Sequence, residues 1–143
     1  MDGTARDSGI GAGRPIKRRA GAAAGGLPVA DPRPPFSDGA VHGSRCTACR
    51  YPSPQQGLPW CPVCHAPVEP AGFAPTGRVW SSTVVGIPVT TRRPPFGLAY
   101  VDLDGGPRVL VHLAEPAVLP AGTRVRIIGT DQGDLVADRA EGE

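Results

Sequence analysis

The sequence predicts a mainly β protein: a small metal-stapled ribbon at the N-terminal side, then a five-stranded barrel. Three observations carry that prediction. Glycine and proline supply 38 of 143 residues, which excludes long helices. All four cysteines fall within a Pro-rich stretch, residues 46–76, that has few large apolar groups. Of the 30 Leu, Ile, Val and Phe residues, 20 lie within 77–136, so there is material for one small core.

Each segment follows from its composition. Residues 1–30 read as a disordered basic arm. Arg6, Arg14, Lys17, Arg18 and Arg19 face only Asp2 and Asp7 there, and no apolar period runs through GIGAGRPIKRRAGAAAGG. No apolar stretch long enough for a secretory signal follows these cations, so a cytoplasmic location is expected. No run approaches a membrane span. Fourteen Arg against one Lys is the composition expected of a GC-rich bacterial genome. Residues 31–76 form the lead-in and the ribbon. Pro32, Pro34 and Pro35 discourage helix as far as Phe36, and Ser37 or Asp38 is placed to cap a short helical turn after it.

Residues 77–138 alternate as short strands, expected at 78–87, 96–104, 108–114, 123–129 and 134–138. In the first, Val79, Ser81, Thr83 and Val85 are expected on one face. Asp104-Gly105-Gly106 is a hairpin signal, and Asp131-Gln132-Gly133 is another. The interval 114–122 has room for a turn of helix but is interrupted by Pro116 and Pro120. Five strands, with the longest break between the third and fourth, fit a five-stranded OB-fold barrel. Residues 139–143 are an acidic tail expected to fray.

Cys46, Cys49, Cys61 and Cys64 spell C-x2-C-x11-C-x2-C. Each pair can form a tight knuckle, and the excursion between them lets one knuckle fold back on the other. Four thiolates at about 2.3 Å then make a closed structural zinc site. Metal affinity becomes folding energy, roughly 10–16 kcal/mol in zinc-finger peptides, which supplies what this segment cannot obtain by burial. Two disulfides, a thiol–disulfide redox pair and a rubredoxin-like iron site use the same residues. The missing export signal weighs against the first, the missing βαβ pattern against the second, and the few shielding aromatics against the third. Zinc against iron is a matter for metal analysis. His65 would be a redundant fifth ligand. Tyr51 and Trp60 are expected to cover the metal site.

No nucleophile elbow, P-loop, dinucleotide fingerprint or zincin motif occurs. His112 lies alone on a strand, and Asp102 and Asp104 lie two apart on one strand face, next to a Gly-Gly turn where solvation is expected. A catalytic site of the chain's own is therefore not expected. Beyond residue 30 there are ten Arg against eleven acidic residues, and the expected barrel strands offer only Trp80, Phe96 and Tyr100 for base stacking. Both facts weigh against nucleic acid, although a nucleic-acid-binding ribbon and OB-fold, helped by the basic arm, is the alternative reading. The loop PVTTRRPPF, residues 88–96, presents Arg92 and Arg93 beside Phe96. These three are the candidate contacts for the phosphates of a nucleotide-like ligand such as coenzyme A, or for an acidic partner.

The segments GSRCTACRYPSPQQGLPWCPVC, TGRVWSSTVV, FGLAYVDLDGGPRVLVHL and LPAGTRVRII, in that order, resemble a family with a rubredoxin-like zinc ribbon followed by an acyl-CoA-associated OB-fold. The resemblance spans about residues 36–138. It implies a non-catalytic subunit that accompanies a thiolase-fold enzyme: a thiolase, an acyltransferase or a lipid-transfer-protein-like aldolase. It implies a hetero-oligomer that shapes the acyl-CoA channel, and it makes Cys46, Cys49, Cys61 and Cys64 the zinc ligands. Many such ribbons carry Gly directly after a C-x-x-C pair, easing a left-handed turn. Here Arg50 and His65 stand in those places.

Overall fold

Strand formation begins earlier than the alternation of apolar residues suggests. The computed structural model describes residues 31–141, and the basic arm expected at 1–30 lies outside them. Apart from Asp31, the described residues belong to one compact unit, Pro32–Glu143. Nine strands are present among them: β1 (Phe36–Ser37), β2 (Ala40–Cys46), β3 (Pro52–Ser53), β4 (Val68–Phe73), β5 (Thr76–Val85), β6 (Phe96–Leu103), β7 (Arg108–Leu113), β8 (Arg124–Asp131) and β9 (Asp134–Arg139). No described helix is long and apolar enough to cross a membrane.

The ribbon is a sheet around β2. Strand β4 pairs with it over Val41–Cys46, while β1 and β3 share the other edge, at Ala40–Val41 and Ser44–Arg45. The helical turn expected after Phe36 is replaced by a tight hairpin. Asp38 and Gly39 both take positive φ, 52° and 73°, which returns the chain directly onto β2. Gly43 has no room for a side chain, because the Ser53 carbonyl oxygen occupies the place of a Cβ.

Strands β5 to β9 close a barrel in the order β5-β6-β7-β9-β8. All pairings are antiparallel except β7 with β9, which run parallel through His112–Val136 and Leu113–Ala137. The fold class expected from the sequence is met: mainly β, with an OB-fold barrel behind a cysteine ribbon. Gly77 opens β5 because the Asp102 carbonyl oxygen passes where its Cβ would be. A bulge between Val79 and Ser81 then inserts one extra residue opposite β6. A one-residue slip exchanges the faces of every position beyond it. Val79 is buried, but Ser81 and Thr83 face out, and Ser82 and Val84 turn inward. The single-face pattern expected for β5 is corrected accordingly.

The expected turn of helix at 114–122 is also absent. Its place is taken by an irregular crossover held by one serine. The Ser82 hydroxyl donates to the Leu119 carbonyl oxygen and accepts from the Leu119 N–H, both at 2.8 Å. Leu119 thereby packs against the core at the barrel end.

Ribbon and barrel share one core. Val41 of β2 and Phe73 of β4 join Val79, Val101, Val111, Val125, Ile127 and Leu135 in a single buried cluster. Phe73 also packs against Gly106 in the β6–β7 turn. Arg45 crosses the same junction. Its guanidinium lies 5.3 Å from the Phe73 ring centroid and donates to the Gly105 carbonyl at 2.7 Å and to the Arg50 carbonyl at 2.9 Å.

Candidate functional site

The four cysteines converge. Their sulfurs all lie within 4.8 Å of one another, with Cys46–Cys64 at 3.4 Å and Cys49–Cys61 at 3.7 Å. An ion with sulfurs at about 2.3 Å in a tetrahedron needs edges of about 3.8 Å. The spacing therefore fits a metal ion, and all four thiols are free of disulfides. The two knuckles are built alike. Ala48 and Cys49 N–H groups donate to the Cys46 sulfur, both at 3.3 Å, and Val63 and Cys64 N–H groups donate to the Cys61 sulfur at 3.3 and 3.5 Å. The Cys46 N–H reaches the Tyr51 carbonyl and the Cys61 N–H the Ala66 carbonyl, each five residues on.

These donors prepare the site for anionic sulfur. Burial pushes the Cys46 thiol up, but the N–H groups of Cys49 and Ala48 outweigh it and bring it down to about 6. Cys61 is lowered in the same way. At Cys49 the Tyr51 N–H favours the thiolate, yet burial and the sulfurs of Cys64, Cys46 and Cys61 push it up to about 12. Four sulfurs this close cannot all ionise unless a cation stands among them.

Arg50 and His65, directly after the knuckles, adopt φ of 68° and 67°. The left-handed turn implied by the family resemblance is thus made without glycine. Cys46 and Cys61 are buried, whereas Cys49 and Cys64 are exposed. One side of the sulfur cluster is therefore open to solvent; Tyr51 and Trp60 are themselves 42% and 55% exposed.

The loop after β5 is organised differently from a free basic loop. Arg92 is only 14% exposed and donates to Asp131 Oδ2 at 2.9 Å, to the Asp131 carbonyl at 3.0 Å and to Asp134 Oδ2 at 3.1 Å. It clasps the β5–β6 loop to the β8–β9 turn, where Gln132 and Gly133 both take positive φ. Arg33 reaches the same turn, bonding the Gln132 carbonyl at 2.8 Å and Asp134 Oδ1 at 3.1 Å. Arg93 is exposed. The Phe96 ring lies 5.6 Å from the ring of His112, whose Nε2 stands 3.2 Å from Asp134 Oδ2. Burial and nearby Arg92 lower the His112 pKa, and its Nδ1 is buried with no hydrogen-bond partner among the described residues. An unpaired buried lone pair is tolerable on a neutral ring, whereas a buried N–H⁺ without an acceptor is costly.

The two aspartates near the β6–β7 turn are each matched to an arginine. Asp102 takes two bonds from Arg108, at 2.7 and 3.1 Å, which hold its carboxyl below the ordinary range. Asp104 takes two from Arg124, at 2.8 and 2.9 Å, and one from the Thr76 hydroxyl, which hold it at about 2. Carboxylates pinned this way are poor general acids or bases at neutral pH.

Residues 72–130 match the family model of the ChsH2 C-terminal OB-fold domain. The resemblance expected from the sequence is met over this domain. Among solved structures, one titled "Ltp2-ChsH2(DUF35) aldolase" aligns with a TM-score of 0.55 and 24% identity, over 70% of this chain and 84% of that one. No curated protein matches. The matched residues include the Phe73 junction, the bulged β5 and the Arg92 loop. OB-folds present ligands on the second and third strands and on the 1–2 and 4–5 loops; Arg92 ties those two loops together. Sequence reading missed that clasp, because its partners are 39 and 42 positions away.

Proposed function

We propose that this chain is a zinc-containing, non-catalytic accessory subunit that binds a thiolase-fold enzyme and helps shape its acyl-CoA channel. The observation that carries this reading is the ChsH2-type OB-fold at residues 72–130, standing directly behind a four-cysteine ribbon. The solved structure that aligns with the chain is titled as an Ltp2 aldolase together with ChsH2, which favours an aldolase of that kind as partner.

Zinc is the ion proposed for Cys46, Cys49, Cys61 and Cys64. When bound, it supplies charge compensation and folding energy, with no open position for substrate. The residues then act by position. Cys46 and Cys61 anchor the buried side, the Arg45–Phe73 junction fixes ribbon to barrel, and Arg92 holds the loop that carries Arg93 and Phe96. Arg93 and Phe96 are the proposed contacts for coenzyme A or the partner. Arg92 is proposed to position them, since carboxylates already occupy its guanidinium. The partner supplies nucleophile and base; this chain supplies orientation and shielding from water.

Co-expression with thiolase-like and lipid-transfer-protein-like enzymes tests the reading. A stable hetero-complex by size exclusion with light scattering is expected, with thioester turnover only when the partner is present. Turnover by this chain alone, or no complex with any such enzyme, contradicts it.

A further inference from the structure

The four sulfurs of the ribbon are not equivalent. Cys46 and Cys61 are buried, and each sulfur accepts two N–H bonds. Those from Ala48 and Cys49 reach Cys46 at 3.3 Å, and those from Val63 and Cys64 reach Cys61 at 3.3 and 3.5 Å. Cys49 is exposed, and the Tyr51 N–H bonds its sulfur. Cys64 is exposed as well. Among the described residues, its neighbour in hydrogen-bond range is another sulfur, that of Cys46 at 3.4 Å. Pro62, Val63 and His65 beside it are exposed too, so solvent reaches this knuckle.

That asymmetry ranks the sulfurs by reactivity. N–H bonds spread the charge of a thiolate and make it a weaker nucleophile, and oxidation follows thiolate character and exposure. Cys64 combines exposure with the fewest donors. Cys46 stands closest to it, nearer than Cys49 stands to Cys61 at 3.7 Å.

We propose that Cys64 is an oxidation site for peroxides, and that Cys46 captures its oxidised form, so that the ribbon gives up its ion under oxidising conditions. The inference rests on the zinc reading above and adds a redox input to it. The Cys64 thiolate attacks one peroxide oxygen: an S–O bond forms, the O–O bond breaks and hydroxide leaves. The Cys46 thiolate then attacks the Cys64 sulfur: an S–S bond forms, the S–O bond breaks and a second hydroxide leaves. The two thiolates lose two electrons, the peroxide gains them, and solvent protonates both hydroxides to water. Cys49 and Cys61 are then the remaining ligands, too few for a closed tetrahedral site. Folding energy supplied by the ion is lost with it.

The test uses the full chain as purified, with hydrogen peroxide as oxidant. Metal content is measured first and checks the zinc reading by itself. Zinc release is then followed with a chromogenic chelator, while differential alkylation and peptide mass mapping identify which cysteines are lost first. Cys64 should be oxidised first, zinc should leave in step with a Cys46–Cys64 disulfide, and a dithiol with added zinc should restore the site. Cys64→His keeps four ligands, since three Cys and one His also hold zinc. It should slow release about tenfold or more, because the reactive thiolate is gone. Cys49→His leaves the Cys46–Cys64 pair intact and should release zinc at nearly the unmodified rate. If a His variant does not hold zinc, the mapping on the unmodified chain decides. A first disulfide between other partners, zinc release without a disulfide, no release by peroxide, or equal slowing in both variants overturns the proposal and leaves the zinc reading standing. A chain that carries no zinc before peroxide is added overturns both.

Discussion

His112 can set a pH dependence through stability alone. Its ring is held neutral by burial and by Arg92, with Asp134 and Asp131 pulling the other way. The folded-state pKa lies below the ordinary value of 6.5, so the unfolded chain binds the proton first. Stability from this group is complete above that value and is lost as pH falls through 6.5 toward the folded pKa. Asp104 behaves the same way lower down, losing its contribution as pH falls from about 3.8 toward about 2. Urea unfolding across pH should therefore show two separate declines, and His112→Gln should remove the first while keeping the second. A single decline below pH 4 in the unmodified chain would contradict this reading. His65 carries a different strain. A side chain at φ 67° costs roughly 1 kcal/mol relative to glycine. His65→Gly should slow metal loss to a chelator, and faster loss would show that the knuckle gains nothing from relaxation.

At the scale of elements, two devices replace regular structure. Ser82 satisfies both backbone groups of Leu119 and so does the work a helix would do in closing the barrel end. Ser82→Ala leaves a part-buried N–H without its acceptor and should cost about 1–3 kcal/mol in thermal or urea melts; a change near zero would mean that water replaces the hydroxyl. Arg45 spans the ribbon–barrel junction. Arg45→Ala removes a ring contact and two hydrogen bonds, one of them across the junction, about 1–3 kcal/mol together, and should raise amide exchange in the Leu103–Arg108 turn. Unchanged exchange there would show that Phe73 alone holds the junction. The same elements explain what could be read in advance. Strands β6 and β7 were legible because alternation runs unbroken up to a Gly-Gly turn. The bulge in β5 was not, since nothing in Val-Trp-Ser-Ser marks the extra residue. Strands β2 and β4 escaped notice because AVHGSRC and VEPAGF carry no apolar period, and they pair across the ribbon around Gly43.

At the scale of the whole molecule, one core joins two parts that differ in what stabilises them. The barrel buries aliphatic side chains on one continuous ladder. The ribbon contributes Val41 and Phe73 to that core, with Phe36 and Ala71 packed against it, and otherwise converges on four sulfurs. The cysteines were legible from spacing alone, because a knuckle needs two thiols three positions apart. The clasp of Arg92 was not, because it depends on how the barrel closes. Open on the side of Cys49 and Cys64, the sulfur cluster is accessible to chelators as well as to a covering partner. Metal content measured together with amide exchange, before and after chelation, tests the central claim most directly. The account predicts one zinc ion per chain, and loss of exchange protection over Ala40–Phe73 on its removal while β6 and β7 stay protected. Metal-free protein with those ribbon amides fully protected would contradict it.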